Sequence, residues 1–209
     1  MVKIKICGIT NIEDAKVAVA AGADALGFVL YRKSPRFVEA AVVRRIVAEL
    51  PPFVLPVGVF VNEELSLVRA LMDECGLALA QLHGDETAFY CQDLGRPVMK
   101  ALRLKDRGTF LTLAEFKGRA NVRGVLIDAF SDQAYGGTGQ TVDWTLAQEA
   151  AQSTPIVLAG GLTPANVAEA ITRVRPYGVD VSSGVELSPG KKDHDKVKAF
   201  IHSARLVPA

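Results

Sequence analysis

The chain has 209 residues, 49% of them apolar and 22% charged, so it can bury one sizeable core and lacks the composition of a disordered or low-complexity sequence. Twenty-four basic residues against 23 acidic leave a net charge of +1. That balance supplies no global field for nucleic acid or an anionic membrane, and partner choice must come from a local site.

Short apolar or β-branched runs alternate with longer amphipathic runs along the whole chain, the mark of a repeated βα unit. The first strand is expected over Ile4–Cys7 and the first helix over Asn11–Ala21. Thr10 or Asn11 caps that helix, Asp14 lies in its first turn and Gly22 closes it. Strands then recur over Ala25–Leu30, Leu55–Phe60, Leu77–Leu82, Val98–Ala101, Gly124–Asp128, Pro155–Ala159 and Gly178–Val181. The helices between them are expected over Ala40–Leu50, Glu63–Cys75, Thr87–Leu94, Thr109–Lys117, Asp143–Gln152, Pro164–Val174 and Asp193–Leu206. Thr163 followed by Pro164 is a helix-start signal, because proline at the first helical position gives up only an amide that would be unpaired anyway.

Several strands are apolar at nearly every position, as in a parallel sheet covered on both faces. Eight nearly equal units predict an α/β fold, a single-domain (β/α)8 TIM barrel over residues 1–209. The competing open doubly wound sheet would carry G-x-G-x-x-G after its first strand, where this chain has Cys-Gly-Ile-Thr. Cys7, Cys75 and Cys91 are widely spaced and form no C-x-x-C or Cys/His cluster, so neither a metal site nor a disulfide framework is expected. With no signal-peptide pattern at the N-terminus and no apolar run near the roughly 18 residues of a spanning helix, the expected location is the cytoplasm.

Barrel enzymes place their reactive groups at the C-terminal ends of strands and on the following loops. At strands seven and eight these positions hold Gly160 and Gly161, and Ser182, Ser183 and Gly184. Small residues there let backbone amides converge on an anion, and a short helix start behind Gly184 would add its positive end, so a phosphate fits. The plainer reading of Gly160 and Gly161 is a turn with positive φ. Cys7 and Asp128 end strands one and six on different sides of the barrel mouth, which suits an acid and a base. A strand-end cysteine is more often a small buried hydrophobe, whereas a carboxylate ending an apolar strand is costly to bury without a partner or a task.

Arg36, stiffened by Pro35 within Tyr-Arg-Lys-Ser-Pro-Arg-Phe-Val, points to an acidic ligand group, while Arg32 and Lys33 read as solvated. His83 reads either as a core or rim histidine or as a ligand contact. Tyr135-Gly-Gly-Thr-Gly-Gln reads as a glycine-rich loop over the ligand or as a long connection.

These residues resemble the phosphoribosylanthranilate isomerase family. The resemblance runs through Lys5-Ile-Cys-Gly-Ile-Thr, Gly27-Phe-Val-Leu with Ser34-Pro-Arg, Gly58-Val-Phe-Val-Asn and Gln81-Leu-His-Gly-Asp. It continues through Asp128 with Gly136-Gly-Thr-Gly, Leu158-Ala-Gly-Gly-Leu with Pro164-Ala-Asn-Val, and Gly178-Val-Asp-Val-Ser-Ser-Gly-Val-Glu. It implies an aldose-ketose isomerase of tryptophan biosynthesis that needs no cofactor and takes a small-molecule phosphoribosyl substrate. The implied reaction is the Amadori rearrangement of N-(5-phosphoribosyl)anthranilate, with Asp128 as general acid and Cys7 as general base. Arg36 would pair with the anthranilate carboxylate, His83 would contact substrate, and Gly160, Gly161, Ser182, Ser183 and Gly184 would hold the phosphate.

A ribulose-phosphate epimerase or the histidine-pathway aminoaldose isomerase would keep the phosphate loops, but those families work through metal-linked groups or a pair of aspartates, and Cys7 argues against both. A non-catalytic phosphate-ligand sensor would bind without turnover, and the presence of both Cys7 and Asp128 argues against it. Apolar helix faces could serve a dimer or the barrel core, and a monomer is the expectation over a homodimer.

Overall fold

Strand β1 (Lys3–Cys7) pairs in parallel with β2 (Ala25–Val29) on one side and with β8 (Gly178–Val181) on the other, and these two pairings close a barrel. Between them run β3 (Leu55–Phe60), β4 (Leu79–Leu82), β5 (Val98–Leu104), β6 (Val122–Ala129) and β7 (Ile156–Leu158), each paired in parallel with its neighbour in chain order. The structure is a computed structural model that describes residues 1–129 and 143–208. The glycine-rich run Tyr135–Gln140 lies outside the described residues.

Each parallel step needs a crossover, supplied by α1 (Ile12–Ala21), α2 (Ala40–Ala48), α3 (Leu65–Cys75), α4 (Ala88–Leu94), α5 (Thr109–Phe116), α6 (Trp144–Ser153) and α7 (Val167–Val174), with α8 (His194–Arg205) after β8. Successive strand residues face opposite sides, which divides the apolar burial in two. Ile4, Ile6, Leu26 and Phe28 belong to the large cluster shared with the helices, whereas Met99, Ala101, Leu126 and Ala159 form a separate cluster inside the barrel. The interior also holds charge: Lys5 and Asp180 are buried and register-paired across β1 and β8.

Helix ends follow local chemistry. Asn11 caps α1 by accepting from the Asp14 amide, and Gly22 ends it at φ 103°. The Thr163-Pro164 signal starts a turn rather than α7 itself. Asn166 accepts from the Thr163 amide, and the helix proper begins at Val167.

Strand β5 runs to Leu104, three residues past its expected end at Ala101, because β6 offers a partner along that whole length. After β8 the chain forms a short 3-10 turn at Ser183–Val185 instead of the expected helix start, then the hairpin β9 (Glu186–Ser188) and β10 (Lys191–Lys192), which the hydrophobic pattern did not announce. Among the described residues no helix is long and apolar enough to cross a membrane.

Candidate active site

The strand ends meet around one cavity of 90 Å³ at the C-terminal mouth of the barrel, which brings Cys7, Arg36, His83 and Asp128 together with the loops after β7 and β8. A larger cavity of 570 Å³ opens at the opposite end and is lined mainly by strand-start residues such as Leu55, Leu79 and Val157. The Asp128 carboxylate, the Cys7 thiol and the small-residue loops converge on the smaller one, and barrel chemistry lies at that end.

Cys7 ends β1 and is buried, at 7% exposure. Gly8 follows at φ 75°, and its amide donates to the Gly27 carbonyl on β2 at 2.9 Å, which turns the chain away just beyond the thiol. A methyl on Gly27 would lie 2.7 Å from Cys7 Sγ and 3.0 Å from Lys5 Nζ, so this glycine opens the notch that both side chains occupy. Burial pushes the Cys7 thiol above its ordinary value, and the Lys5 ammonium is the largest influence pulling it back.

Asp128 is the penultimate residue of β6, also buried. Its Oδ2 is 3.1 Å from His83 Nε2, and His83 Nδ1 is 2.9 Å from the Gln81 side-chain nitrogen. Gln81 near the end of β4 and His83 just after it therefore connect over β5 to the carboxylate.

Arg36 is positioned by its loop and from the far end of the chain. Ser34 Oγ accepts from the Arg36 amide at 3.1 Å, and Val29 and Phe37 form an isolated parallel bridge that folds the loop back on β2. The guanidinium is then gripped by Glu186, with Nε at 2.9 Å from Oε1 and Nη2 at 2.7 Å from Oε2. Lys192 Nζ lies 2.9 Å from the same carboxylate. Burial raises the Glu186 pKa, but the Arg36 hydrogen bond and the Lys192 ammonium outweigh it and hold the group below the usual glutamate range. Arg32 is exposed beside Glu39 and Lys33 is exposed, as the sequence reading had them.

Gly160 and Gly161 take φ 82° and 65°, so the turn reading of these glycines holds, and both nonetheless line the cavity with Ser182, Ser183 and Gly184. A methyl on Gly184 would stand 1.9 Å from the Leu162 carbonyl oxygen, which means the two loops touch through bare backbone. Among the described residues Ser182 Oγ is buried with no hydrogen-bond partner, a donor left over in a cradle of small residues.

Four residues escaped the sequence reading as site members: Lys5, Asp180, Glu186 and Lys192. The legible signal was a lysine and an aspartate interrupting otherwise apolar strands, where an unpaired charge would be costly.

The chain matches the family profile described as N-(5'phosphoribosyl)anthranilate isomerase over residues 4–203. It is 53% identical over 207 residues to N-(5'-phosphoribosyl)anthranilate isomerase of Citrifermentans bemidjiense, covering 99% of this chain and 98% of that one. A crystal structure of phosphoribosyl anthranilate isomerase in complex with reduced 1-(o-carboxyphenylamino)-1-deoxyribulose 5-phosphate superposes with TM-score 0.87 at 43% identity, covering 98% of this chain and 99% of that one. So does a structure of monomers generated from the dimeric enzyme of Thermotoga maritima, with TM-score 0.87 at 41% identity and the same coverage. The chain belongs to the N-(5'-phosphoribosyl)anthranilate isomerase family.

Proposed function

We propose that this isomerase of tryptophan biosynthesis converts N-(5'-phosphoribosyl)anthranilate to 1-(o-carboxyphenylamino)-1-deoxyribulose 5-phosphate with Asp128 as general acid and Cys7 as general base, the whole chain acting as one barrel domain. The observation that carries the assignment is one cavity flanked by a buried carboxylate and a buried thiol, with small-residue loops at one side and a fixed guanidinium at another.

Asp128 gives its proton to the ribose ring oxygen as the C1–O bond breaks, and the nitrogen lone pair forms the C1=N bond of the opened Schiff base. The Cys7 thiolate removes the C2 proton, and the C2–H electron pair becomes the C1=C2 bond of an enolamine while the C1=N pair returns to nitrogen. Tautomerisation places a proton on C1 and leaves the C2 ketone, so substrate and product are isomers.

The phosphate lies against Gly160, Gly161, Ser182, Ser183 and Gly184, where the orphan Ser182 hydroxyl gains an acceptor. The anthranilate carboxylate meets the Arg36 guanidinium, whose Nη1 takes no part in the Glu186 pair. His83 contacts the substrate beside Asp128. Fixing both ends holds C1 and C2 between acid and base, the positional share of catalysis.

The test follows the fluorescence decay of freshly generated phosphoribosylanthranilate with wild type, Cys7→Ser and Asp128→Asn. Loss by wild type with slow or absent loss by both variants supports the pair. A folded variant with full activity removes that residue from its role.

A second reading concerns assembly: beside the expected monomer, one observation favours a homodimer. Phe53 is 96% exposed at the rim of the 570 Å³ cavity, and Tyr177 and Leu55 beside it are also exposed. An uncovered apolar rim is the kind of surface that a second copy could cover about a two-fold axis, and a relative that superposes closely is described as dimeric. Light scattering after size exclusion decides it. A dimer that Phe53→Ser converts to monomer supports the reading, and a wild-type monomer removes it.

A further inference from the structure

Lys5 stands two residues before Cys7 on β1, so the two side chains leave the same face of the strand and enter the barrel. The lysine is 5% exposed, and its Nζ lies 2.8 Å from Asp180 Oδ1, on a carboxylate whose side chain is only 8% exposed. The register that closes the barrel sets Lys5 opposite Asp180. Both the Lys5 ammonium and the Cys7 sulfur crowd the notch that Gly27 leaves open on β2. A buried ion pair is weak evidence for stability, because apolar residues of similar volume often fold as well. A positive charge placed against a thiol has a chemical use, since the thiolate and not the thiol abstracts a proton.

We propose that Lys5 is a positioning residue for the isomerisation: its ammonium, anchored by Asp180 inside the barrel, is the fixed positive charge beside which the Cys7 sulfur ionises and takes the C2 proton. The inference rests on Cys7 being the base. Other charged groups face this sulfur from every side. Asp180 comes from β8, Lys192 from β10 and Arg36 from the loop after β2, with His83 just after β4 and Asp128 on β6 across the cavity. Burial and Asp180 push the thiol up, while Lys5 and, less strongly, Lys192 pull it down. Burial also works against the charge on Lys5, but Asp180 and Cys7 outweigh it and hold that lysine above its ordinary range, so the ammonium persists wherever the enzyme turns over.

The experiment measures the pH midpoint of Cys7 alkylation by iodoacetamide, followed at the Cys7 peptide by mass spectrometry, together with the pH profile of kcat. Lys5→Met raises the alkylation midpoint by about 1 pH unit or more and moves the alkaline rise of kcat with it. Lys5→Arg, which keeps the charge, restores the midpoint toward wild type. Lys5→Met with Asp180→Asn removes both charges without stranding a carboxylate, and it moves the midpoint upward by less. The double variant gives the same readout if the single one does not fold.

A midpoint that stays at the wild-type value in the folded variants overturns the role of Lys5. Failure of the base assignment looks different, because Cys7→Ala would then retain turnover while Lys5→Met still moves the alkylation midpoint.

Discussion

His83 Nε2 lies 3.1 Å from Asp128 Oδ2, and the opposite ring nitrogen lies 2.9 Å from the Gln81 side-chain nitrogen. If the Gln81 amide donates to Nδ1, the ring proton sits on Nε2 and is donated to the carboxylate. A protonated Asp128 requires the reverse arrangement, with Nε2 accepting. The ring can serve in either arrangement, so the imidazole is a two-way partner for the Asp128 carboxyl group. His83→Ala is expected to lower kcat by about 10-fold to 100-fold, at or below the low end of the roughly 10²–10⁴-fold that a general acid itself supplies. His83→Gln, which retains a donor near Oδ2, should lose less. Steady-state fluorescence kinetics of the two variants tests this, and equal losses would show that hydrogen bonding to Asp128 is not what the ring contributes.

The pH dependence has a definite sign. Burial holds the Cys7 thiol above its ordinary value, so in the resting enzyme the thiolate grows as pH rises through and beyond the neutral range. The value of kcat/KM should therefore climb on the alkaline side, and Cys7→Ser should abolish that limb along with the activity. A flat profile from pH 7 to 9 in wild type, measured at substrate levels well below KM, contradicts a buried thiol as the base.

Gly184 approaches the loop after β7 so closely that a methyl group would meet the Leu162 carbonyl oxygen at 1.9 Å. Gly184→Ala must push the two small-residue loops apart. The expected result is a KM raised by about 10-fold or more, with a smaller effect on kcat, because the damage falls on an anchoring group remote from the reacting carbons. Weakened competitive inhibition by inorganic phosphate in the same variant identifies the anchor. An unchanged inhibition constant would place the phosphate elsewhere.

Glu186 serves both Arg36 and Lys192, whose side chain is fully buried. Glu186→Gln removes the countercharge for two cations and should cost about 3–5 kcal/mol in urea unfolding, the scale for breaking a buried pair from one side. It should also raise KM, since Arg36 loses its bidentate partner. Because the folded pKa of Glu186 is depressed, its contribution to stability is complete above the unfolded value, about 4.3 for a free glutamate, and is lost as pH falls through the folded value. Wild-type stability should thus decline on acidification over that window, and less so in Glu186→Gln.

Much of the site was legible in the chain because barrel chemistry ties function to position along each unit. Cys7, Asp128, Gly160 and Ser182 are informative as the last residues of apolar runs, or the first after them, and the fold carries all four to one cavity. Arg36 was legible as a cation in a proline-stiffened loop, but its partner was not. Helix α7 began later than Pro164 suggested, since a proline marks where a turn can start and the Asn166 side chain decided where the helix follows. Strand β5 ran longer than its hydrophobic pattern because pairing with β6 continues past its apolar core.

The sequence by itself determined the eight-fold alternation of strand and helix, the apolar strands that require cover on both faces, and the small residues at the last two strand ends. Each of these is a local property, readable within one βα unit. Tertiary structure alone decided which charges face one another. Lys5 and Asp180 are 175 residues apart and Arg36 and Glu186 are 150 apart. Their pairing depends on the register with which β8 closes onto β1 and on a hairpin folded over the barrel mouth. A charged residue in an apolar run announces only that it needs a partner, because burial sets the need locally while barrel closure selects the residue that meets it.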